Sequence, residues 1–273
     1  MFTIDNYIVA KDMEEAYQLN QKRNNVILGG GLWLGLGRRR ISTAIDLSGL
    51  GLDRIEERED SFEIGCMTTL RELECNATLN SYFKGVFTKA VKPIVGVQFR
   101  NCATIGGSVY GRYGFSDLLT CLLALHTEVV LYRGGTILLS DFVNMPRDKD
   151  VLIKLVIRKD AREVAYLSHR RSATDLPVLT CAVAKTESEW QVVIGARPSR
   201  AKLIRIKASE LGALPSESEL NVFCTELVQR MDFNTNMRGS EEYRRHLAGV
   251  LIRRGIKEIM ERGDNEYEDK TVD

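Results

Sequence analysis

The 273-residue chain lacks most of the features that assign a function at sight. It has no net charge field: 38 Lys and Arg stand against 37 Asp and Glu, a balance of +1 at pH 7. Nothing in that balance calls for nucleic acid, a membrane surface or an acidic polymer as partner. It has no long apolar run. The longest, 118–125, is interrupted by Thr120 and followed by His126 and Glu128, far short of the ~20 residues of a membrane helix. The start, Met1-Phe2-Thr3-Ile4-Asp5-Asn6, carries neither a basic region nor an apolar stretch. No secretion signal is expected, and a cytoplasmic location follows. The cysteines Cys66, Cys75, Cys102, Cys121, Cys181 and Cys224 form no CxxC pair. That spacing argues against a zinc ribbon or an iron–sulfur cluster held by this chain. No metal site is expected, and the thiols read as small buried groups in a reducing compartment. Internal repeats and low-complexity tracts are absent too.

What is present is an ordinary globular composition, 44% apolar and 27% charged, enough for a real core in one large or two modest domains. Helices are expected at 12–22, with Asp12 as cap and Glu15 three residues on, at 69–76 and at 83–94. A buried helix is expected at 118–125. Strands are expected at 26–28, 43–47, 62–65, 127–132, 136–139 and 151–157. After about residue 160 the texture changes. Strands at 164–167, 178–185 and 190–195 suit an antiparallel sheet. Helices at 216–231 and 240–260 follow, then a polar tail, 262–273, expected to fray.

Two glycine-rich stretches interrupt this pattern. The first, Gly29-Gly30-Gly31-Leu32-Trp33-Leu34-Gly35-Leu36-Gly37, leaves a strand and runs into Arg38-Arg39-Arg40. It is neither a GxGxxG fingerprint nor a P-loop. Its exposed N–H groups could form an anion-binding nest, while the arginines by themselves read as a solvated basic run. The second is Gln98-Phe99-Arg100-Asn101-Cys102-Ala103-Thr104-Ile105-Gly106-Gly107-Ser108-Val109-Tyr110, closed by Asp117. Glycines flanked by two hydroxyl residues suit a loop laid along a phosphate or sugar. They suit a tight turn with a β-bulge equally well. The two stretches lie some 75 residues apart, which fits one extended ligand such as a dinucleotide. The missing nicotinamide fingerprint points to a flavin.

These residues give the chain a family likeness. It resembles the FAD-binding medium subunit of the molybdenum hydroxylases, the xanthine dehydrogenase and carbon monoxide dehydrogenase type. Leu28-Gly29-Gly30-Gly31-Leu32-Trp33 lies on that family's first loop, Ala-Gly-Gly-Thr-Asn/Asp-Leu. Residues 98–108 follow its second loop almost letter for letter. Ser116-Asp117, Asp150-Val151-Leu152, the Arg171-x-Ala173-x-Asp175-Leu176 segment and Arg238-Gly239-Ser240-x-x-Tyr243-Arg244 match further motifs. The resemblance implies an α+β chain: a two-subdomain FAD-binding fold of the vanillyl-alcohol-oxidase/MurB-like type, followed by a smaller C-terminal antiparallel sheet plus helices. The FAD-binding domain would span 1–160, with subdomains of about 1–52 and 53–160, and the C-terminal flavoprotein-family domain 161–273.

It also implies site residues. Leu28 and Gly29, Gly30, Gly31, Leu32, Trp33 and Leu34 would wrap the pyrophosphate with backbone N–H groups. Thr104 and Ser108 would hydrogen-bond phosphate or ribityl oxygens, with Ile105 in the same loop and Gly107 allowing close approach. Asp117 would accept from a ribose or ribityl hydroxyl, unless it serves as a helix cap. Tyr110 and Leu152 would lie near the ring system, Trp33 against the flavin or in the core. Arg100 and Asn101 would brace the loop. Gly31 and Leu32 replace the family's Thr and Asn/Asp, so the backbone alone is left to meet the phosphate there. Leu167 stands where a lysine is frequent, and His169 or Arg170 would cover for it. The implied function is electron transfer, with no catalytic side chain. Electrons would come from an iron–sulfur small subunit, reduced in turn by a molybdopterin large subunit, and leave to NAD or another acceptor. A stand-alone FAD-dependent oxidoreductase and an interaction subunit with weakened FAD binding are the alternatives.

Overall fold

The computed structural model describes residues 3–212 and 215–270, with the side chains of 263–270 left aside. In chain order the elements begin β1 (Thr3–Val9), α1 (Met13–Gln21), β2 (Asn25–Ile27), α2 (Leu32–Gly35), β3 (Arg40–Asp46), β4 (Ile55–Glu57), β5 (Ser61–Gly65) and α3 (Leu70–Cys75). Then come α4 (Ala77–Tyr82), α5 (Val86–Val91), α6 (Val97–Cys102), α7 (Ile105–Tyr110), α8 (Asp117–Ala124), β6 (Thr127–Leu131), β7 (Gly135–Leu138), α9 (Leu139–Phe142) and β8 (Leu152–Arg158). The chain closes with β9 (Glu163–His169), β10 (Leu179–Lys185), β11 (Glu189–Gly195), β12 (Lys202–Lys207), α10 (Glu217–Gln229) and α11 (Glu241–Lys270). These form two compact units. The first comprises Met1–Leu79, Val95–Arg112 and His126–Lys159, and the second Asn80–Ile94, Tyr113–Leu125 and Asp160–Asp273.

The first unit holds two sheets. In one, β3 lies between β1 and β2, all parallel. As the central strand it is the most buried, with Ile41, Ala44 and Ile45 fully enclosed. Helix α1 starts where expected because Asp12 accepts the Glu15 N–H at 2.8 Å, and Glu15 returns a bond by accepting the Lys11 N–H at 2.9 Å. The other sheet runs β4-β5-β8-β6-β7, each pair antiparallel. Alternate residues Phe62, Ile64, Leu155 and Ile157 are fully buried, the period-two pattern of strands with one face on a core.

The second unit is built on the antiparallel order β12-β11-β10-β9. Both faces of β10 are covered. Thr180 meets Thr120 of α8 through their hydroxyls at 2.9 Å. Its sequence neighbours on the opposite face, Cys181 and Val183, share a core with Leu227 of α10 and with Leu251, Ile252 and Ile256 of α11. Coverage on two sides explains why 179–184 is a continuous run of small and apolar residues rather than an alternation.

Several expectations change. The stretch 98–110 is neither a loop nor a bulged turn: it forms α6 and α7, with Thr104 between them as the cap of α7. The first glycine stretch passes into the single turn α2. The helix expected at 83–94 is shorter, with α4 preceding it. Strands β1, β4 and β12 join the sheets unannounced. Helix α11 continues to Lys270 where a frayed tail was expected from 262, and residues 271–273 lie outside the described residues. Among the described residues no helix is long and apolar enough to cross a membrane. None of their His, Cys, Asp and Glu side chains form a group of three or more suited to a metal ion.

Candidate functional site

The two glycine stretches meet in the first unit. Leu28 continues β2 by donating its N–H to Ile45 O at 2.9 Å, and the chain then turns through Gly29, Gly30 and Gly31. Gly30 and Gly31 have φ of +87° and +71°, the left-handed region that side chains other than glycine enter at a cost. Residues 66–70 strap the second stretch to the body of the unit. Gly106 N–H donates to Cys66 O at 2.8 Å, Ile105 N–H to Thr68 O at 2.9 Å, and Leu70 N–H to Ala103 O at 2.8 Å. Thr104 Oγ1 accepts the Gly107 N–H at 3.1 Å and starts α7. A Cβ placed on Gly29 would stand 2.9 Å from Gly107 Cα, and one on Gly107 would stand 2.7 Å from Gly29 O. The glycines are therefore required first by each other: they let the two backbones touch.

An open cleft of about 320 Å³ lies along this contact. Among the candidate residues, Leu28, Gly29, Thr104, Gly107, Tyr110 and Leu152 line it, whereas Gly30 to Leu34, Ile105, Ser108 and Asp117 do not. Gly31 to Leu34 instead cap and form α2, Ile105 is fully buried, and Asp117 lies in the second unit. The cleft wall also carries Arg39 of the basic run and Asp150 of the motif before β8, and residues that motif reading passed over, Asn20, Asn25, Arg147 and Lys149 among them. Their signal was the dense charge of Arg147-Asp148-Lys149-Asp150 just before β8, which lacks any motif spacing. Lys149 Nζ donates to Asn20 O at 2.9 Å, and Asn20 Nδ2 returns a bond to Lys149 O at 2.7 Å. Tyr110 donates its hydroxyl to the Asp148 carboxylate at 2.5 Å and lies 3.0 Å from Asp150 O. Burial and that carboxylate push the Tyr110 hydroxyl well above its ordinary range. Burial pushes the Cys66 thiol up to about 12, so it is neutral and inert near pH 7. The wall offers hydrogen-bond donors, bare backbone and three basic side chains beside the carboxylates of Asp148 and Asp150.

The hydroxyls divide in role. Ser108 spends its proton on Thr104 O at 3.0 Å and can only accept from a ligand, whereas Thr104, used as an acceptor by Gly107, keeps its proton to donate. Trp33 sits outside the core, 40% exposed, with its ring edge-on to Phe99 at 6.5 Å. Arg100 braces as expected: it is buried, with Nε 2.8 Å and Nη2 3.2 Å from the two Glu74 oxygens.

In the second unit Asp117 is buried and its cap role is taken by Ser116, which accepts the Leu119 N–H. Tyr166 and Arg170 both donate to Asp117 Oδ1 at 2.5 Å, so Oδ2 is the oxygen left to receive another donor. Burial pushes this carboxyl up, against the pull of Arg170 and of the Tyr166 hydroxyl. His169 Nε2 lies 3.0 Å from the Tyr243 hydroxyl. Arg170, the residue expected to stand in for a missing lysine, is thus committed to Asp117.

A two-sheet α+β unit with paired glycine turns at a cleft, followed by an antiparallel sheet with helices, is the architecture of an FAD-binding flavoprotein. The comparison with known families agrees: residues 2–159 match the FAD binding domain in molybdopterin dehydrogenase, and 164–259 the CO dehydrogenase flavoprotein C-terminal domain. The chain belongs to this flavoprotein family, and it is an FAD-dependent oxidoreductase subunit of the xanthine dehydrogenase type. It is 27% identical over 254 residues to the uncharacterized protein YgfM of Escherichia coli K12, covering 91% of this chain and 94% of that one. It is 20% identical to the glyceraldehyde dehydrogenase medium chain of Sulfolobus acidocaldarius, covering 93% and 97%. Among solved structures, quinoline 2-oxidoreductase from Pseudomonas putida 86 superposes with a TM-score of 0.84 at 18% identity, over 95% of this chain and 97% of that one. At such identity the superposition speaks for the fold.

Proposed function

We propose that this chain is the electron-transfer subunit of a cytoplasmic molybdenum hydroxylase-type complex. The FAD it holds would supply the relay between the iron–sulfur clusters of a small partner subunit and an acceptor, NAD or another. The substrate would be oxidised on a molybdopterin-bearing large partner. The observation that carries the reading is the backbone contact of Gly29 with Gly107 beside a cleft lined by Thr104, Tyr110 and Leu152.

The residues present fit the group. A cradle that a single Cβ would fill, a hydroxyl with a proton to donate and the basic side chains Arg39 and Arg147 suit a diphosphate. In our reading the backbone of Gly29 meets the diphosphate beside Leu28, and Gly30, Gly31, Leu32, Trp33 and Leu34 fix the turn that presents it. Thr104 donates to a phosphate or ribityl oxygen, Ser108 accepts, and Ile105 and Gly107 hold the loop at the right depth. Tyr110 and Leu152 shape the wall next to the rings. The flavin, when bound, supplies the exchange between two-electron and one-electron chemistry. The protein binds, orients and excludes water, and no side chain here serves as an obligatory acid or base. The FAD-holding part is residues 1–160, and 161–273 completes the subunit.

The test is co-expression with its partners and purification of the assembly. Flavin, cluster and molybdopterin signatures in one particle, with the chain reducing an added acceptor, are the expected result. A flavin-loaded chain that oxidises NADPH alone would favour the stand-alone oxidoreductase. Co-purification with cluster-bearing partners but without flavin would favour the interaction subunit.

A further inference from the structure

The second unit has a cleft of its own, about 250 Å³, which the flavin reading does not use. Its wall is mostly apolar, from Phe115, Leu176, Pro177, Ala196 and Pro198, and carries Asn236 and Arg238 as its amide and its cation. The volume is below the usual range for drug-sized ligands, so its occupant is small. The Phe115 ring stacks on Tyr113 at 5.3 Å and 20°, leaving a flat wall.

The polar side of this cleft carries an unmet donor. Arg238 donates Nη2 to Asp175 Oδ1 at 3.1 Å, while its Nε is buried with no hydrogen-bond partner. An unmet buried donor on a cation is costly, because the charged group has lost its water without gaining an acceptor. Asn236 adds a second donor, because its orientation is fixed. Its Oδ1 accepts from Arg238 N at 2.9 Å and from Arg244 Nη2 at 2.5 Å. The Nδ2 group is thereby left as the free end of the amide. Arg244 itself is fully buried and bound to neutral acceptors, Val178 O, Asn234 O, Gly239 O and Asn236 Oδ1. Burial and the Arg238 charge both hold its guanidinium below its ordinary range. At the edge of an apolar slot, Arg238 is thus paired with one carboxylate, Asp175, while Arg244 has none among its partners.

We infer that this cleft is a second ligand site that binds a small planar organic carboxylate, its ring in the slot of Phe115, Leu176 and Pro198 and its carboxylate on Arg238 and Asn236. A carboxylate supplies two acceptor oxygens and a negative charge together. A neutral amide of the same shape supplies one acceptor oxygen and no charge.

The test uses the full FAD-loaded chain, with benzoate as probe and benzamide as its neutral counterpart, by calorimetry and by chemical shifts of residues lining each cleft. Benzoate is expected to bind at least about tenfold tighter than benzamide, with shifts at 114–115 and 176–177. Arg238→Gln is expected to abolish that preference. Asn236→Asp keeps the oxygen that Arg244 and Arg238 use and replaces the donor by an acceptor, so it should lose benzoate while unfolding at the wild-type temperature. It decides the matter if Arg238→Gln does not fold. No benzoate binding at millimolar concentration, equal binding of the two probes, wild-type affinity in Asn236→Asp, or shifts confined to the flavin cleft would overturn the inference. Its failure leaves the flavin reading intact, since the flavin is monitored separately by its absorbance.

Discussion

Arg170 Nη2 stands 2.5 Å from Asp117 Oδ1, and both side chains are more than nine-tenths buried. Removing one partner of a buried pair strands the other and costs about 3–5 kcal/mol. Arg170→Gln is expected to lose that much at pH 7 in urea unfolding. The pH dependence has a definite sign. Burial already pushes the Asp117 carboxyl up, and without Arg170 it rises further. The folded variant then keeps a proton that the unfolded chain releases near pH ~4, so its stability grows as pH falls. The deficit should therefore shrink between pH 7 and 4. A deficit independent of pH would show that Asp117 is ionised in the variant and finds other partners.

Glu74 presents the opposite sign. Burial raises its carboxyl, but Arg100 and Arg71, at 2.8 and 2.9 Å, overcome that and hold it below its ordinary range. Its contribution is present above the unfolded value of ~4.3 and is lost as pH falls through the folded one. Wild-type stability should fall steeply on acidification below about pH 4, and Glu74→Gln, weaker at pH 7, should fall less steeply there. Urea midpoints between pH 7 and 3 check this. Equal slopes would contradict it.

Neighbouring glycines in the first turn should respond differently. A Cβ at Gly30 would meet Cys102 O at 2.0 Å, backbone that cannot swing aside, whereas at Gly31 it meets nothing within 4 Å. Gly31→Ala should cost only the conformational penalty, roughly 1–2 kcal/mol, and keep flavin. Gly30→Ala should cost more and release flavin. Thermal unfolding and flavin content measure both, and equal effects would show that the turn is not docked on Cys102.

Much of this was readable in the residues, for physical reasons that differ by element. Helices α1, α3, α8 and α10 announced themselves through caps, because Asp12, Thr69, Ser116 and Ser216 act locally. The hidden elements are those decided by distant contacts. Strand β1 is an exposed edge, with Tyr7 57% and Val9 50% accessible, so it has no buried face to pattern. Glycines at 106 and 107 disfavour a helix, yet α7 forms because Thr104 caps it and residues 66–68 receive its first N–H groups. The motifs named Gly29, Gly107, Tyr110 and Leu152, which line one cleft, but not the contact between the two glycines. They could not show that Ser108 spends its proton inside the chain, or that Arg170 and Asp117 hold each other.

The donor that survives should dominate affinity. Thr104→Val removes both the cap and the proton for the ligand, and FAD affinity should fall at least about tenfold. Thr104→Ser keeps both and should stay within about twofold of wild type. Leu32→Ala, in α2, should change affinity little. Fluorescence titration of the flavin-free chain measures all three. Equal losses in Thr104→Val and Leu32→Ala would refute the ordering of the two loops.

The central claim is that the Gly29–Gly107 contact forms an FAD cradle, and the bound-cofactor absorbance of the purified chain tests it most directly. The account predicts a flavin spectrum in the wild type, released on denaturation as FAD. It predicts loss of that spectrum in Gly107→Ala, whose new Cβ would stand 2.7 Å from Gly29 O, with circular dichroism retained. A wild-type chain that is colourless and cannot be reconstituted with FAD, or a Gly107→Ala chain that is folded and as yellow as wild type, would contradict it.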